Sequence, residues 1–359
     1  MSGFGLLVET PAGQGASAKV GGSAVRIRHV VLSTAFAGVE RHICLLANAQ
    51  VQQGHDVEVW GGKPEAMGAA LDEHVLARPA PRTLVGAGRV VSAGPVDILH
   101  SHMTAAEVAC VTAGWSWSVP VVATRHFAAR RGASVPGRLA SGWIGRRLAA
   151  QIAVSRYVAA AVDGTSEVVY PGVEEIRTAE AHDEHVVLVV QRLQPEKDTE
   201  SALRAFAEGA PDGWRLKVVG DGPEKDRLYR LAQQLGIETR TAFLGFRNDV
   251  HELMRSAAVL IAPCPVEGLG LSVLEAMSHG LPVVASDAGA HPETVGRAVS
   301  AELFTPGDAD QAGEQLRRLC ADPQLRQRYG QDLRSVQRKF FTPEAQAQAT
   351  EEIYRVVSQ

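Results

Sequence analysis

Cysteine is sparse and never clustered in this sequence: Cys44, Cys110, Cys264 and Cys320 lie far apart, with no CxxC pair. That argues against a disulfide framework and fits reduced thiols in a cytoplasm. Long apolar runs are missing too. The longest uncharged apolar stretch, 108–124, is broken by Gly114, Ser116, Ser118 and Pro120, so it reads as a helix end plus a strand and spans no membrane. The opening MSGFGLLVETPAGQG has neither a basic n-region nor a long apolar h-region, so no signal peptide is expected. A strong charge of one sign is absent as well. A net charge of −4, with 45% hydrophobic and 21% charged residues, gives no sign of a disordered tail or a nucleic-acid-binding surface. No short-period repeat occurs. No G-x-G-x-x-G follows a strand, no Walker A motif is present, and no serine sits in a nucleophile elbow. Dehydrogenase, ATPase and hydrolase readings therefore lack their key parts.

What is there is an alternation. At ~150 residues per domain, 359 residues suggest two domains, each able to bury a core. Strand-like runs occur at 25–33, 57–61, 96–102, 119–126 and 151–156, and again at 185–193, 215–222, 241–246, 257–263 and 281–287. Most are apolar on both faces, as buried parallel strands are. Amphipathic stretches such as 39–53, 223–235 and 308–320 separate them, which predicts an α/β fold of doubly wound sheets. Residues 1–24, rich in Gly, Ala and Ser, are expected to be a mobile extension. The segment VVYPGVEEIRTAEAHDEH is the best boundary between a domain over 25–170 and one over 171–340. Two such domains facing one another would bind a ligand between their strand ends.

The chemistry concentrates in the second half. After strand 257–263 come Glu267, Gly268 and Gly270, then a helix carrying Glu275. Glycines let the backbone approach a ligand, and a helix N-terminus offers free N–H groups and a favourable dipole to an anion. Carboxylates beside a phosphate would be repelled, so the two acids are better suited to accepting hydrogen bonds from sugar hydroxyls that flank a diphosphate. Taken alone, Glu267 could equally cap the helix and Glu275 be a solvated helix residue. A second element, QRLQPEKD, brings the cations Arg192 and Lys197 to the end of another buried strand.

RLQPEKD (192–198), VGDGPEKDRL (219–228), FLGFRNDV (243–250) and EGLGLSVLEAMSHGLPVVASDAGAHPETV (267–295) resemble the GT4 family of retaining glycosyltransferases, whose GT-B fold pairs two Rossmann-like domains. FAGVERHICLLANAQVQQGHDVEVW (36–60), DILHSHM (97–103), VVATRHF (121–127) and AVSRYV (153–158) extend the resemblance over nearly the whole chain from residue 25. The resemblance implies a nucleotide-diphosphate sugar as co-substrate, UDP-sugar before GDP-mannose, and transfer of a hexose or N-acetylhexosamine to a glycan or glycolipid. No metal or other cofactor is expected. It implies that Arg192 and Lys197 bind the diphosphate, helped by the amides of Leu269, Gly270 and Leu271. Glu275 would hold the ribose and Glu267 a hydroxyl of the transferred sugar. Gly222, Phe246 and Arg247 would hold the base; Gly38 would pass close to the diphosphate or acceptor; His126 would lie at the reacting sugar. The helix 341–358 would cross back onto the first domain. No protein base is needed if the acceptor attacks from the leaving group's own face and the departing phosphate takes its proton.

The sequence departs from the family pattern at Ala37-Gly38, where two glycines are usual, at Leu269, where an aromatic is usual, and at GAHPE (289–293) in place of GGxPE. Asp308-Ala309-Asp310 spells a metal-type D-x-D, yet follows a Pro-Gly turn and reads as a helix cap. His100 and His102 share a strand face without a third metal ligand at recognisable spacing, so one is expected packed and the other near the cleft. Between Glu107 and Asp163 there is no acid, while Arg125, Arg130, Arg131, Arg138, Arg146, Arg147 and Arg156 fall there with Trp143 and Ile144. That stretch, Arg130, Arg131, Arg146 and Arg147 above all, is read as facing a negatively charged acceptor or anionic lipid at the inner membrane face, against the alternative of a solvated helix face. Two other classes compete: a nucleotide-sugar epimerase of similar architecture, and a non-catalytic sugar-nucleotide-binding protein.

Overall fold

The computed structural model describes residues 24–80, 88, 93–114, 119–131, 141–176 and 185–359. The extension expected over residues 1–24 lies, apart from residue 24, outside them, as do 177–184 of the boundary segment.

The alternation folds into two parallel sheets. The first takes β1 (Arg26–Val31), β2 (Asp56–Trp60), β3 (Leu76–Arg78), β4 (Ile98–His102), β5 (Val121–Arg125), β6 (Ala150–Ala153) and β7 (Glu167–Val168) in the order β3-β2-β1-β4-β5-β6-β7. The second takes β8 (Val186–Val190), β9 (Arg215–Val219), β10 (Thr241–Gly245), β11 (Val259–Ala262), β12 (Val283–Ser286) and β13 (Leu303–Phe304) in the order β10-β9-β8-β11-β12-β13. Central strands such as β8 and β11 are buried along nearly their whole length, which is what helices on both faces of a parallel sheet require. Each sheet reverses its strand order once, between β1 and β4 and between β8 and β11. Crevices at the carboxyl ends of the strands open at those switch points.

The connecting helices are α1 (Gly38–Gln52), α2 (Pro64–Ala70), α3 (Thr104–Gly114) and α4 (Arg156–Ala161) in the first half. In the second half they are α5 (Thr199–Gly209), α6 (Lys225–Gln234), α7 (Val250–Ser256), α8 (Leu271–His279), α9 (Ala309–Ala321), α10 (Pro323–Phe340) and α11 (Pro343–Val357). α11 returns to the first sheet. Its Tyr354 and Ala347 are buried with Ile43, Cys44 and Leu46 of α1 and with strand residues Ile27 and Ile98. The chain leaves the first sheet beside the place where it comes back: Val173 N–H donates to Phe341 C=O at 2.9 Å, and Gly172 N–H to the Gln346 side chain at 2.8 Å. Among the described residues no helix is long and apolar enough to cross a membrane.

Candidate active site

The groups singled out around the glycine-rich helix start lie past the carboxyl ends of strands at a switch point or, for His126, one strand beside it. β8 is followed by Lys197 and β11 by Glu267 to Leu271, while β1 is followed by Gly38 and β5 by His126. The Lys197 ammonium sits 2.7 Å from a Glu267 carboxylate oxygen, and both are largely shielded from water. Burial favours the neutral amine, but the Glu267 charge, its hydrogen bond and nearby Cys264 together outweigh it, so the Lys197 pKa lies above its ordinary value and the group is a fixed cation. Gly270 has φ +87°, a left-handed conformation that glycine accepts without strain, and this turns the chain into α8. Gly268 meets the first domain: a Cβ there would lie 2.8 Å from the His126 carbonyl oxygen. Ser155 donates its hydroxyl to the Gly268 carbonyl at 2.6 Å. A Cβ at Gly38 would come within 3.6 Å of Leu271, so the first turns of α1 and α8 face one another across the cleft.

Glu275 is buried, at 4% exposure, rather than solvated. Its partner comes from the other domain: the Arg41 guanidinium of α1 lies 2.7 Å away. Burial raises the Glu275 pKa, and Arg41 and His251 act against that rise. Arg41 also reaches the His251 ring at 3.3 Å. Glu293, within GAHPE, accepts from the Arg156 and Tyr157 amides at the start of α4, at 2.8 and 2.7 Å, and from the Tyr170 hydroxyl at 2.8 Å. It thus ties the second domain to the first.

Other expected groups stand apart from this centre. Arg192 is exposed and pairs with Glu196 at 4.0 Å, outside the Lys197–Glu267 pair, though its charge still acts on Lys197. Gly222 packs against Leu193, and Phe246 is 74% exposed. Arg247 holds Asp249 in an exposed pair. The loops carrying Gly222 and Phe246 are joined where Gly220 N–H donates to Gly245 C=O at 2.8 Å.

The basic stretch needs correction. Arg131 does not face an acceptor: it is buried at 3% exposure, bonded to Glu107 and, at 2.6 Å, to Asp163, the two acids that bracket the stretch in sequence. Arg125 is buried against the same two acids, and Ile144 packs into the core. A charge so far from water needs those carboxylates. Arg130 and Arg146 are exposed, and Arg147 lies over the Trp143 ring at 4.6 Å. Arg138 falls outside the described residues.

The histidines hold the largest surprise. His100 and His102 are both fully buried, so neither is itself at the cleft. With His29, His42 and His126 they form a continuous cluster beneath α1. His29/His100/His102 and His42/His102/His126 are each close enough to hold a metal ion. Their ring nitrogens are instead largely spent on one another and on Gln50, Thr124, Tyr354 and, at His42, Gln346. Burial pushes His29 down to about 4, and burial with the Arg125 charge pushes His126 down to about 3, so both rings stay neutral. The D-x-D is a cap: Asp308 accepts from Gln311 N–H at 2.9 Å. Sequence reasoning missed Arg41, Ser155, Glu293 and this cluster. The local signals were VERHI, AVSRYV, GAHPE and the histidines of DILHSHM and VVATRHF, quoted for resemblance rather than for contact.

Residues 36–177 match the model of Glycosyltransferase Family 4, and residues 173–336 that of Glycosyl transferases group 1. The chain is 32% identical over 273 residues to D-inositol 3-phosphate glycosyltransferase of Mycobacterium tuberculosis, covering 65% of this chain and 56% of that one. It is 29% identical over 193 residues to a putative glycosyltransferase, EpsD, of Bacillus subtilis, covering 52% and 49%. The chain thus spans about half the length of these curated relatives. Its fold superposes on HepE of Anabaena in complex with UDP and glucose, with a TM-score of 0.79 at 21% identity over 92% of this chain and 100% of that one. The two matches, which together run from residue 36 to 336, show that this chain carries the paired domains of the group 1 and family 4 glycosyltransferases, and its structural neighbours share that fold.

Proposed function

We propose that this glycosyltransferase moves a hexose or N-acetylhexosamine, with retention of configuration, from a nucleotide-diphosphate sugar to a glycan or glycolipid, without a metal. The observation that carries the reading is the shielded Lys197–Glu267 pair beside a glycine loop that touches the first domain at His126. Cleaving the bond between the sugar's anomeric carbon and the phosphate oxygen builds negative charge on the leaving diphosphate. Lys197, Arg192 and the N–H groups of Leu269, Gly270 and Leu271 supply fixed positive charge to meet it. The acceptor oxygen attacks from the same face and its proton passes to the departing phosphate, so atoms balance without a protein base. Glu267 accepts from a sugar hydroxyl, and His126 contacts the same hexose. Glu275 accepts from the ribose, with Arg41 as the cation it gives up or shares. Gly38 lets α1 approach the diphosphate, while Gly222, Phe246 and Arg247 frame the base.

UDP-sugars are the first choice of donor because HepE and TarM, neighbours in fold, bind UDP; GDP-mannose is next. The acceptor side is assigned to Arg130, Arg146 and Arg147 around Trp143, a surface suited to a phosphorylated or acidic glycan or an anionic headgroup. Thermal shift with UDP-, GDP-, ADP- and dTDP-sugars tests the donor, since a ligand that binds only the folded chain raises its unfolding midpoint. A UDP-sugar should raise it most, and free UDP should be released once an acceptor is supplied. Isomerised donor forming without acceptor would establish an epimerase instead. Binding without turnover on any acceptor would establish a sensor.

A further inference from the structure

The face of the first sheet beneath α1 is lined with imidazoles because strand alternation puts them there. His29 pairs in register with His100, His102 follows two residues on, and Thr124 pairs with His102 on the next strand. His126 lies two residues beyond Thr124. Gln50, two helical turns along α1 from His42, closes the far end.

The contacts form one line. Gln50 presents its carbonyl oxygen to His29 Nε2 at 2.7 Å, so that nitrogen carries the proton and donates. His29 is neutral, so its Nδ1 is an acceptor, and it faces His102 Nε2 at 3.0 Å. His102 Nε2 therefore donates, and its Nδ1 accepts from His126 Nε2 at 3.1 Å. Each ring's choice of tautomer is forced by the one behind it. Among the described residues His126 Nδ1 has no hydrogen-bond partner, and the ring is only partly buried. A second line runs alongside: Gln50 Nε2 donates to the Tyr354 hydroxyl, which donates to His100 Nδ1, and His100 Nε2 donates to Thr124. Both lines take their sense from the Gln50 amide, whose oxygen faces His29 and whose nitrogen faces Tyr354. Stacking of His100 on His102 at 4.5 Å and the edge of His42 against His126 at 4.8 Å hold the rings in place.

We propose that Gln50, His29 and His102 are positioning residues that hold His126 as the Nε2–H tautomer, presenting Nδ1 to the cleft as a hydrogen-bond acceptor for a hydroxyl of the transferred sugar. The relay rests on the reading that His126 contacts that sugar. It adds that the ring works as an acceptor of set orientation, fixed from about three residues' depth in the core.

The test is ¹⁵N NMR of ring-labelled histidine together with steady-state kinetics. Wild type should show His126 with Nε2 protonated and Nδ1 bare. His102→Phe should convert His126 to a mixture of tautomers and lower kcat about tenfold or more, with donor KM changed less. His102→Asn, whose side-chain oxygen can replace Nδ1 as acceptor, should restore the single tautomer and most of the rate. Should His102→Phe fail to fold, Gln50→Met, at the opposite end of the line, should give the same mixture. A folded His102→Phe or Gln50→Met protein with unchanged His126 shifts and unchanged kinetics would overturn the relay. A shifted tautomer with unchanged kinetics would leave the relay standing and remove His126 from the sugar.

Discussion

The guanidinium of Arg41 lies 2.7 Å from the carboxylate of Glu275, so an ion pair joins α1 of the first domain to α8 of the second. Glu275 is buried and Arg41 half-exposed, which puts the pair between the weak surface class and the strongly coupled interior class. Arg41→Met should therefore destabilise the protein by about 1–3 kcal/mol, because it strands a buried charge. Arg41→Met with Glu275→Gln should recover most of that loss. Denaturant midpoints of the two single variants and the double variant measure it; additive losses would show that the pair is not coupled.

Lys197 and Glu275 are assigned to the diphosphate and ribose. Lys197→Ala and Glu275→Ala should each reduce transfer by ~10²-fold or more, the scale of deleting one group aimed at developing charge. Near-normal turnover in both folded variants would remove the assignment.

Transfer should persist in excess EDTA, because Lys197, Arg192 and the first turn of α8 supply the positive charge that a metal would. Complete loss, restored by Mg²⁺ or Mn²⁺, would refute this. Restoration by Zn²⁺ alone would point to the buried histidines.

The arginines now divide by location. Arg131→Ser should destabilise the fold by about 3 kcal/mol, because fully buried Glu107 loses its closest cation and keeps only Arg125 at 3.8 Å. Replacing Arg130 and Arg146 with Ser should leave the unfolding midpoint nearly unchanged, and adding Arg147→Ser should cost about 0.5–1 kcal/mol for its place over Trp143. The triple replacement should raise the acceptor KM and weaken binding to anionic liposomes at low salt, without altering donor affinity. Wild-type values for both would make those three a solvated face.

The buried histidines set the acid limit of the protein. Burial holds His29 at about 4 and His126 at about 3, and keeps His42, His100 and His102 well below 6.5. The unfolded chain, with rings near 6.5, therefore takes up protons that the native state refuses. Stability from this source is present above pH 6.5 and lost as pH falls from 6.5 through about 4 at His29 and about 3 at His126. Glu275, raised by burial, works in the opposite sense, but as one group against five. Thermal midpoints should fall steadily from pH 7 to 5, with roughly three or more protons bound on unfolding at pH 5. A flat midpoint across that range would contradict neutral, buried rings.

Ten of the thirteen described strands were legible in the sequence as apolar runs, most of them buried on both faces, although β2 alternates and the edge strand β10 has no fully buried residue. The three that were not, Leu76–Arg78, Glu167–Val168 and Leu303–Phe304, are two or three residues long and sit at sheet edges, where no long buried run is needed. The Glu267–Glu275 element was legible through its glycines and helix start. Arg41 against Glu275, Arg131 against Glu107 and the five imidazoles were not, because each contact joins elements far apart in the chain and leaves no period behind. Arg131 shows the limit of counting charge along a sequence: the acids absent from its stretch are supplied by the residues that bracket it.

The contact between Tyr354 and His100 spans 254 residues. A chain emerging from the ribosome makes the whole first sheet, then the whole second, before it makes the tyrosine that closes the core beneath α1. Until then His100 and the Gln50 amide nitrogen both lack their hydroxyl partner. The first domain is thus first to be synthesised yet among the last parts to be completed. Its maturation is chained to that of its neighbour, and a ribosome stalled in α10 would carry an assembled second sheet beside a first one still waiting for its lock.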